Sequence, residues 1–514
     1  MMINWPVVYI LENSKEAYVG ETISAVQRMK EHLVNKDRSV FNTFYLIRDD
    51  RFNKSATLDI ESQLIEYISA DGKYVLQNSN KGLRNHNYYD KEQYTNLFKE
   101  IWNELKELKV VKNSLNTIRN SDLFKYSPFK ALTIDQISVA ESLIATISSK
   151  KRSVSVVKGE PGSGKTILAV YLCKYLIHEE KKNQSDIALV LPQTSIRETI
   201  KKVFKHIKHL KANMVISPNH VAEREGLYDV LIVDESHRLA QRRKIISYKS
   251  FDETSKKLGM DPKNATQLDW IMRKAKHVII LYDEKQRVKP ADLDTIDFAR
   301  ITKGADEYQL LSQLRVLAGN RYAGYIDSMF RGLQKSREYF DKYEFYLFND
   351  FGKMKQRIEN MEKEYGLSRI VAGYAWDWKT KDNPTGYDIE IQGHRLRWNS
   401  ITKDWIFSEN SPREVGCIHT VQGYDLNYCG VIIGPELVYR DGEVRFIREK
   451  YKDTHGNSTS LSDTEMLTYI INIYKTLMTR GIKGTFVFAC DEALYEYLSR
   501  YIEKTNSVFI EDIN

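Results

Sequence analysis

Short apolar runs alternate with longer amphipathic stretches along this chain, and the pattern changes near residue 130. Before that point, strand-like and helix-like periods predict strands over residues 6–11 and 43–47 and helices over residues 24–34 and 57–69. Apolar residues then recur at helical spacing through residues 91–119, which predicts one or two further helices. The pair Ser127-Pro128 interrupts this pattern and marks a domain boundary.

Beyond residue 130, β-branched runs separated by helical stretches recur in two successive series. The predicted strands cover residues 154–157, 187–191, 230–233 and 278–281, and then residues 368–372, 415–419, 430–433 and 484–489. This alternation is typical of a parallel sheet covered by helices. The sequence therefore predicts an α/β protein, with a small α/β module at residues 1–95, a helical linker at 96–125, and two RecA-like parallel-sheet lobes at 126–300 and 301–514.

Composition narrows the class of protein. A chain of 514 residues exceeds one ordinary domain, and its net charge of +8 is spread too thinly to do more than weakly favour a nucleic-acid partner. The spacing of Cys173, Cys417, Cys429 and Cys490 fits neither a zinc site nor a disulfide framework, which favours a reducing, cytoplasmic compartment. We find no signal-peptide pattern and no apolar run long enough for a membrane span.

Residues 159–166 read Gly-Glu-Pro-Gly-Ser-Gly-Lys-Thr and lie between a predicted strand and an apolar helix. Strand, glycine-rich turn, Lys-Thr and helix together make a phosphate-binding loop. The glycines let backbone N–H groups approach a polyphosphate, while the lysine supplies charge to the β- and γ-phosphates and the threonine is suited to ligate Mg²⁺. The residues predicted to hold ATP and its metal here are Gly159, Gly162, Ser163, Gly164, Lys165 and Thr166.

An acidic pair ends the strand predicted at residues 230–233. Open α/β sheets bind ligands at the carboxyl ends of their strands, so Asp234 is predicted to hold Mg²⁺ directly or through water. Glu235 beside it is predicted to orient or deprotonate the attacking water.

The order of these and later motifs resembles that of superfamily-1 helicases and translocases. It is most similar to the bacterial helicase-like ATPases related to the helicase lobe of Schlafen proteins, over residues 126–514. Six further segments carry the resemblance, namely Leu132-Thr-Ile-Asp-Gln136, Leu191-Pro-Gln-Thr-Ser195, Tyr282-Asp-Glu-Lys-Gln286, Leu311-Ser-Gln-Leu-Arg315, Ile418-His-Thr-Val-Gln-Gly-Tyr-Asp425 and Tyr474-Lys-Thr-Leu-Met-Thr-Arg-Gly481.

The resemblance implies a role for one residue in most of these segments. Gln136 would read adenine, and Gln286 would sense the γ-phosphate. Arg315 and Arg480 would approach ATP from across a cleft between two lobes, so that hydrolysis opens and closes the cleft. Asp425 stands where many relatives carry the longer glutamate.

A run of basic residues follows the Pro-Gln-Thr segment that resembles a nucleic-acid-backbone motif. On a helix, several of these side chains would share a face and track phosphates, or they would form an ordinary solvated surface. The run comprises Arg197, Lys201, Lys202, Lys205, Lys208 and Lys211, and Gln241-Arg-Arg-Lys244 forms a second cluster with the same two interpretations. For the tryptophans near residues 374–405, core packing is favoured over base stacking.

The N-terminal module carries a second set of candidate residues. They are, in chain order, Tyr9, Tyr18, Arg28, His32 and Glu61. The arginine and histidine are four residues apart and share a helix face. The set resembles the GIY-YIG nuclease domain over residues 4–95, with Val7 and Val19 in place of a glycine and an isoleucine, and Asn78 as a candidate for the family's late asparagine.

This second resemblance implies metal-dependent phosphodiester hydrolysis. Tyr9 would be the base, assisted by Tyr18 or His32, while Arg28 neutralises the phosphate and Glu61 binds one divalent metal. None of the departures from the family pattern removes a catalytic group.

Together the two resemblances predict an ATP-dependent DNA-processing nuclease-helicase in bacterial antiphage defence or DNA repair, using ATP and Mg²⁺ or another divalent metal. Two alternatives stay open. One is an ATP-switched nucleic-acid-binding sensor with an inactive nuclease fold, and the other is an RNA-directed nuclease-helicase. The predicted partner is nucleic acid, DNA before RNA, with no membrane, and a homo-oligomer or a defence partner protein is left open.

Overall fold

The computed structural model describes residues 5–35, 38–78, 88–130, 132–178, 186–245, 247–312, 315–381, 385–402, 404–421, 423–454 and 456–505. The chain divides into two compact units, each assembled from segments that are distant in sequence. The first unit comprises Met1–Ser149, Thr166–Leu189 and Glu198–Val215, and the second comprises Lys150–Lys165, Val190–Arg197 and Ile216–Asn514.

The first unit begins with a small mixed sheet and two helices. Its elements are β1 (Val7–Glu12), β2 (Glu16–Thr22), α1 (Ala25–Val34), β3 (Thr43–Ile47), α2 (Lys54–Asp71) and β4 (Val75–Leu76). The strand order is β3-β1-β2-β4, in which β1 runs antiparallel to both neighbours and β2 runs parallel to β4. Val8 and Ile10 on β1 are fully buried in one hydrophobic core with Ile60 and Leu64 on α2.

Four helices follow in the chain, and the first of them completes that core. They are α3 (Lys91–Glu107), α4 (Leu115–Arg119), α5 (Asp122–Lys125) and α6 (Ile134–Ser149). Trp102 on α3 is fully buried, lies 5.7 Å from the Tyr67 ring and donates from Nε1 to Asn113 O over 3.0 Å. The segment predicted as a linker at 96–125 therefore packs against α2, and Asp71 at the end of α2 accepts backbone N–H bonds from Lys112 and Asn113.

The central part of the chain alternates strands and helices. Its elements are β5 (Ser153–Gly159), α7 (Lys165–His178), β6 (Ile187–Val190), α8 (Thr194–Lys205), β7 (Val215–Ile216), α9 (Pro218–Glu223), β8 (Tyr228–Val233), α10 (Tyr248–Lys257), α11 (Gln267–Arg273), β9 (Ala275–Tyr282), α12 (Thr295–Ile301) and β10 (Asp306–Leu310). Within the second unit, β10, β5, β9 and β8 lie side by side and run parallel.

The register of these strands places three loops at one edge. Ile280 on β9 is the partner of Val156 on β5 and also of Val233 on β8. The carboxyl ends of the three strands therefore lie together, and each is followed at once by a segment with candidate chemistry. Such an edge is where open α/β sheets bind ligands.

The remainder of the second unit contains a larger sheet and a hairpin. Its elements are α13 (Tyr322–Phe330), β11 (Glu344–Phe348), α14 (Phe351–Tyr365), β12 (Ser368–Ala372), β13 (Ile389–Ile391), β14 (His394–Trp398), β15 (Glu414–Cys417), α15 (Ile418–Val421), β16 (Leu426–Ile433), β17 (Leu437–Arg440), β18 (Glu443–Phe446), α16 (Asp463–Met478), β19 (Gly481–Ala489), α17 (Glu492–Leu498) and β20 (Glu503–Lys504). The sheet order is β13-β14-β15-β12-β16-β19-β11-β20, with β17 and β18 as a separate antiparallel pair.

The predicted α/β class with parallel sheets is confirmed. Central strands such as β16 and β19 are buried along nearly their whole length, as expected of strands covered on both faces. One boundary was wrong, because the strand predicted at residues 415–419 ends at Cys417 and Ile418 opens α15. In the described part of the chain, no helix has the length and apolar character needed to cross a bilayer.

Candidate functional site

The turn between β5 and α7 has the backbone of a phosphate cradle. Gly162 and Gly164 have φ angles of 88° and 79°, in the left-handed region that other residues rarely adopt. A Cβ added to Gly159 would overlap Oγ of Ser163, so a larger residue at this position would displace the serine side chain. Because α7 begins at Lys165, its first N–H groups lie at the end of this loop, where a phosphate is favoured.

Lys165 is buried inside the loop. Its Nζ donates to Gly159 O over 2.6 Å and to Glu160 O over 3.0 Å. The same ammonium lies 3.5 Å from Oδ2 of Asp283, at the end of β9. The lysine is therefore fixed at the strand edge, with a carboxylate and two carbonyls to hold its charge.

Asp234 follows β8 at the same edge and is fully buried. Its Oδ1 accepts the backbone N–H of Glu235 over 2.9 Å. Asp234 and Asp283 supply the carboxylate oxygens that Mg²⁺ prefers, so the residues present fit a magnesium ion beside a bound polyphosphate.

Glu235 has the left-handed conformation, with a φ of 52°, which turns the chain sharply after the strand. Its Oε2 lies 3.1 Å from His237 Nε2, where the histidine is fully buried and the glutamate side chain is 12% exposed. Burial opposes ionisation, but the imidazole and the charges of Lys165 and Arg238 lower the pKa of Glu235 well below its usual range. The carboxylate is thus ionised, as a group that orients or deprotonates water must be.

Arg480 and Gln286, both predicted from motifs far apart in sequence, are brought together. Arg480 is buried after α16, and its Nη2 donates to Oε1 of Gln286 over 3.4 Å. The Nε2 of Gln286 donates in turn to Asp283 Oδ2 over 2.7 Å, and Asp283 lies beside Lys165. A continuous chain of polar contacts therefore links the phosphate-binding loop to the segment after α16.

Arg315, the other arginine predicted to approach ATP, pairs with a carboxylate. Its guanidinium forms an ion pair with the carboxylate of Asp425. The structure thereby joins two predicted motifs, although the sequence assigned Arg315 to ATP. Gln313, Leu314 and Gln422 belong to the same two motifs and lie outside the described residues.

Gln136 is buried in the first turn of α6, in the first unit. Its Oε1 accepts the backbone N–H of Thr133 over 3.0 Å, which caps that helix. Thr166, at the start of α7, is half-buried. The adenine role of Gln136 and the metal role of Thr166 both stay predictions.

A cleft of about 280 Å³ lies in the second unit, on residues from several predicted motifs. Its lining comprises Pro192, Gln193, Thr194, Ser195, Arg238, Lys289, Thr402 and His419. Sequence reasoning pointed to residues 191–195 and 418–425 but missed Arg238, Lys289 and Thr402. The sequence did offer a signal for Arg238 and Lys289, because each follows within a few residues of an acidic pair at the end of a strand.

The basic run after Leu191 is not a single helical stripe. Helix α8 ends at Lys205, so Lys208 and Lys211 lie beyond it. Arg197 donates from Nη1 to the backbone oxygens of Leu191 and Pro192, at 2.8 Å and 3.1 Å, which rigidifies the loop that lines the cleft. Among the tryptophans, Trp398 and Trp405 are buried in the core, in line with the packing that the sequence favoured.

The N-terminal candidates form a compact cluster in the first unit. Oη of Tyr9 lies 2.8 Å from Nε2 of His32 and accepts a bond from Nε of Arg28 over 3.2 Å. Both partners lie on α1, as their four-residue spacing predicted. The Tyr18 ring lies 6.3 Å from the Tyr9 ring and 5.7 Å from the His32 ring. A Cβ on Gly20 would overlap Oη of Tyr9, so this glycine makes room for the phenol.

Arg38 is a member of the cluster that the sequence did not suggest. Its guanidinium lies 3.5 Å from the centroid of the Tyr18 ring, and Nη1 lies 3.2 Å from Nδ1 of His32. Burial, followed by the charges of Arg38 and Arg28, lowers the pKa of His32 to about 4. Burial raises the pKa of Tyr9 to about 12, despite the bond from Arg28. Near neutral pH the cluster therefore pairs a neutral imidazole with a protonated phenol.

Glu61 on α2 lies near the same cluster. Burial, followed by the nearby Glu21 carboxylate, raises the pKa of Glu61 to about 7. The positive charge of Arg28 lowers this pKa in part. Among the described residues no group of three or more His, Cys, Asp or Glu side chains could by itself hold a metal ion. Asn78 exchanges two hydrogen bonds with the backbone of Val19, which ties the end of β4 to β2.

Comparison with known proteins finds similarity over the part of the chain that was predicted to form two RecA-like lobes. A family profile described as Schlafen group 3, DNA/RNA helicase domain, matches residues 152–491, about two thirds of the chain. An uncharacterized protein of Saccharomyces cerevisiae is 25% identical over 404 residues, which cover 69% of this chain and 86% of that protein. The matched family region begins after the N-terminal module.

Two solved structures show a weaker likeness. Mss116p bound to ssRNA and AMP-PNP aligns over 77% of this chain and 76% of its own, with 12% identity and a TM-score of 0.35. The Pif1 helicase from Bacteroides, in complex with ADP-AlF3 and ssDNA, aligns over 69% of this chain and 92% of its own, with 12% identity and a TM-score of 0.27.

Proposed function

The chain belongs to the family of the Schlafen group 3 DNA/RNA helicase domain, and from that premise we propose that residues 126–514 form an ATP-hydrolysing motor that moves along nucleic acid. The observation that carries this proposal is the polar chain from Lys165 through Asp283 and Gln286 to Arg480. A motor needs such a connection, because loss of the γ-phosphate must change how its two lobes contact each other.

Each residue of the nucleotide site has a role in the proposed hydrolysis. Lys165 and the loop N–H groups hold the polyphosphate, and Asp234 with Thr166 would hold Mg²⁺, which neutralises charge on the phosphates when bound. The ionised Glu235 orients the attacking water and takes its proton. Arg480 stabilises the charge that develops on the transferred phosphoryl group, while Gln136 would contact adenine and Gln286 the γ-phosphate.

The cleft lined by residues 192–195 is proposed as the path of a single nucleic-acid strand. Its threonine and serine hydroxyls and the cations of Arg238 and Lys289 suit contacts with phosphate oxygens. Arg315, held by Asp425, is proposed to relay changes at the nucleotide to this path.

We propose further that the N-terminal module is a GIY-YIG-type nuclease that cuts DNA. What supports this is the convergence of Tyr9, His32 and Arg28, with Gly20 leaving space for the phenol. Because Arg38 donates to Nδ1 of His32, the neutral ring carries its proton on Nε2 and donates it to Oη of Tyr9 over 2.8 Å. Once Tyr9 has lost its own proton to solvent, its oxygen would take a proton from the water that attacks the phosphorus, while the bond from phosphorus to the leaving sugar oxygen breaks. Arg28 neutralises the phosphate, and Glu61 would hold a divalent metal that stabilises negative charge on the phosphate.

One experiment separates the two activities. Purified protein is incubated with plasmid DNA, single-stranded DNA or RNA, with Mg²⁺ and with or without ATP. Glu61→Ala is expected to abolish cleavage and to spare ATP hydrolysis, whereas Lys165→Ala is expected to abolish hydrolysis. Cleavage by Glu61→Ala at the parent's rate would rule out the nuclease assignment. Intact DNA with cleaved RNA would shift the substrate to RNA, and intact substrates throughout would leave an ATP-switched sensor.

A further inference from the structure

Lys475 is an unusual residue to find in the middle of α16. Its side chain is 1% exposed, and among the residues that the structure describes its Nζ has no hydrogen-bond acceptor. The nearest carboxylate oxygen is Oδ1 of Asp327 on α13, at 3.8 Å, beyond hydrogen-bonding distance. Asp327 also bonds Arg331 over 3.1 Å, so it is not reserved for the lysine.

Burying an ammonium without hydrogen bonds is costly, and an apolar side chain of similar length is usually as good or better for stability. Burial accordingly lowers the pKa of Lys475. The neighbouring positions Ile473 and Leu477 are filled by buried apolar residues, so the helix has no local need for a charge. An unsatisfied buried cation of this kind calls for a functional reason.

The position of Lys475 beside the nucleotide site suggests such a functional reason. Asn472, one turn earlier on α16, donates from Nδ2 to Arg287 O over 3.1 Å, which holds the helix against the loop that follows β9. The carboxylates of Glu160 and Asp283 both favour the charged form of Lys475, whereas the ammonium of Lys285 disfavours it. Glu160 belongs to the phosphate-binding loop and pairs with Lys285 at 2.8 Å. Lys475 therefore lies within electrostatic reach of that loop.

Arg480 differs from Lys475 in having its donors engaged by the protein. Its Nε donates to Thr476 O over 3.1 Å, Nη1 to Tyr424 O over 3.2 Å and Nη2 to Gln286 Oε1 over 3.4 Å. Of the two cations contributed by this segment, Lys475 is the one whose nitrogen has no hydrogen-bond acceptor among the described residues.

We propose that Lys475 contacts the terminal phosphate of a bound nucleoside triphosphate and so distinguishes the triphosphate from the diphosphate; this rests on the proposed ATPase function. The γ-phosphate supplies the acceptors that the ammonium lacks. When it is absent, the ammonium has only the distant Asp327, and α16 is held less firmly against the loop after β9. Through Lys475, the presence or absence of the terminal phosphate therefore changes how firmly α16 is held against the loop after β9.

The test measures the affinities of the full-length protein for AMP-PNP and for ADP, each with Mg²⁺, by titration calorimetry. Lys475→Met keeps the volume of the side chain and removes its charge. It is expected to weaken AMP-PNP binding by about 10- to 100-fold, the effect of one charged hydrogen bond, and to leave ADP binding within twofold. Lys450→Met, a change of the same chemistry at an exposed position, is expected to alter neither affinity.

The variant Asp327→Asn tests the same proposal independently. It removes the carboxylate that competes for the ammonium, so AMP-PNP should bind at least as tightly as before, again with ADP little changed. Equal weakening of both nucleotides by Lys475→Met, no weakening of either, or equal losses in both variants would overturn the proposal and leave a structural ion pair. A wild-type protein that binds neither nucleotide would instead refute the proposed ATPase itself.

Discussion

Arg480 donates a hydrogen bond to Oε1 of Gln286 across 194 positions of sequence, over 3.4 Å. The first residue follows helix α16 and the second follows strand β9, so the contact joins the two parallel-sheet regions of the second unit. Since Gln286 also bonds Asp283 beside Lys165, this contact extends the polar chain from the phosphate-binding loop to the segment after α16.

Replacement of Arg480 by lysine should slow ATP hydrolysis severely. Lysine keeps the charge but cannot reproduce the fork that reaches Gln286 and the Tyr424 carbonyl together. We expect kcat of the nucleic-acid-stimulated reaction to fall by at least about 100-fold, with a much smaller change in the KM for ATP. Steady-state phosphate release measures both quantities. Arg445→Lys, at an exposed position of β18, is the matched control and should stay within twofold.

Gly20→Ala should disable the N-terminal cluster while the protein still folds. The new Cβ would overlap Oη of Tyr9, which has to move away from His32 and Arg28. We expect a loss of about 1–3 kcal/mol in the free energy of unfolding of this unit and loss of nuclease activity. Denaturant unfolding and a plasmid-cleavage assay measure the two effects.

Gly324→Ala is the control for that change. A Cβ there meets nothing within 4 Å, and the residue lies within α13, where alanine stabilises a helix by about 0.5–1 kcal/mol relative to glycine. Cleavage by Gly20→Ala at the parent's rate, with a stability equal to that of Gly324→Ala, would contradict the geometry described for Tyr9.

The pH dependence of stability should carry the signature of His32. Its pKa is lowered to about 4 in the folded protein, against about 6.5 in the unfolded chain, so the unfolded chain binds the proton first as pH falls. The folded state therefore loses stability as pH falls from about 6.5 to about 4, and this contribution is constant above that window. His32→Gln lacks the titrating group.

The free energy of unfolding is compared for the two proteins between pH 7.5 and pH 4, with about half-unit steps. We expect the wild type to lose stability relative to His32→Gln as the pH falls through the window. Parallel curves would show that His32 titrates at the same pH in the folded and unfolded states.

Lys289→Ala should weaken binding of single-stranded nucleic acid. Lys289 lines the proposed strand path, and removing one phosphate contact lowers the slope of log K against log salt by about 0.7 for a single strand. We expect a few-fold loss of affinity, the same for different sequences. Fluorescence anisotropy at several salt concentrations measures this, with the exposed Lys257→Ala as control. An unchanged slope would remove the cleft from the proposed path.

The sequence predicted the parts of the fold that depend on local patterns. Runs such as those of β5, β8 and β9 are apolar and β-branched, and the glycines at positions 162 and 164 permit the left-handed backbone that the turn adopts. Parallel strands with a common register then bring Asp234 and Asp283 to the loop without any further information.

Contacts between distant segments were beyond the same reasoning. The pairing of Arg315 with Asp425 depends on how two loops meet, and no local period encodes it. Arg38 follows the end of α1 in an ordinary polar stretch, yet it stacks on Tyr18. The hairpin of β17 and β18 was missed, although the pair Asp441-Gly442 between its two strands is a local signal for a two-residue hairpin turn.

The most direct test of the account is phosphate release from ATP by the wild type, with and without single-stranded DNA or RNA, alongside Lys165→Ala. We predict hydrolysis that a single strand stimulates at least about tenfold and that Lys165→Ala abolishes. Hydrolysis that no polynucleotide stimulates, or that persists unchanged in Lys165→Ala, would contradict the proposal that nucleotide and nucleic acid are coupled through Gln286 and Arg480.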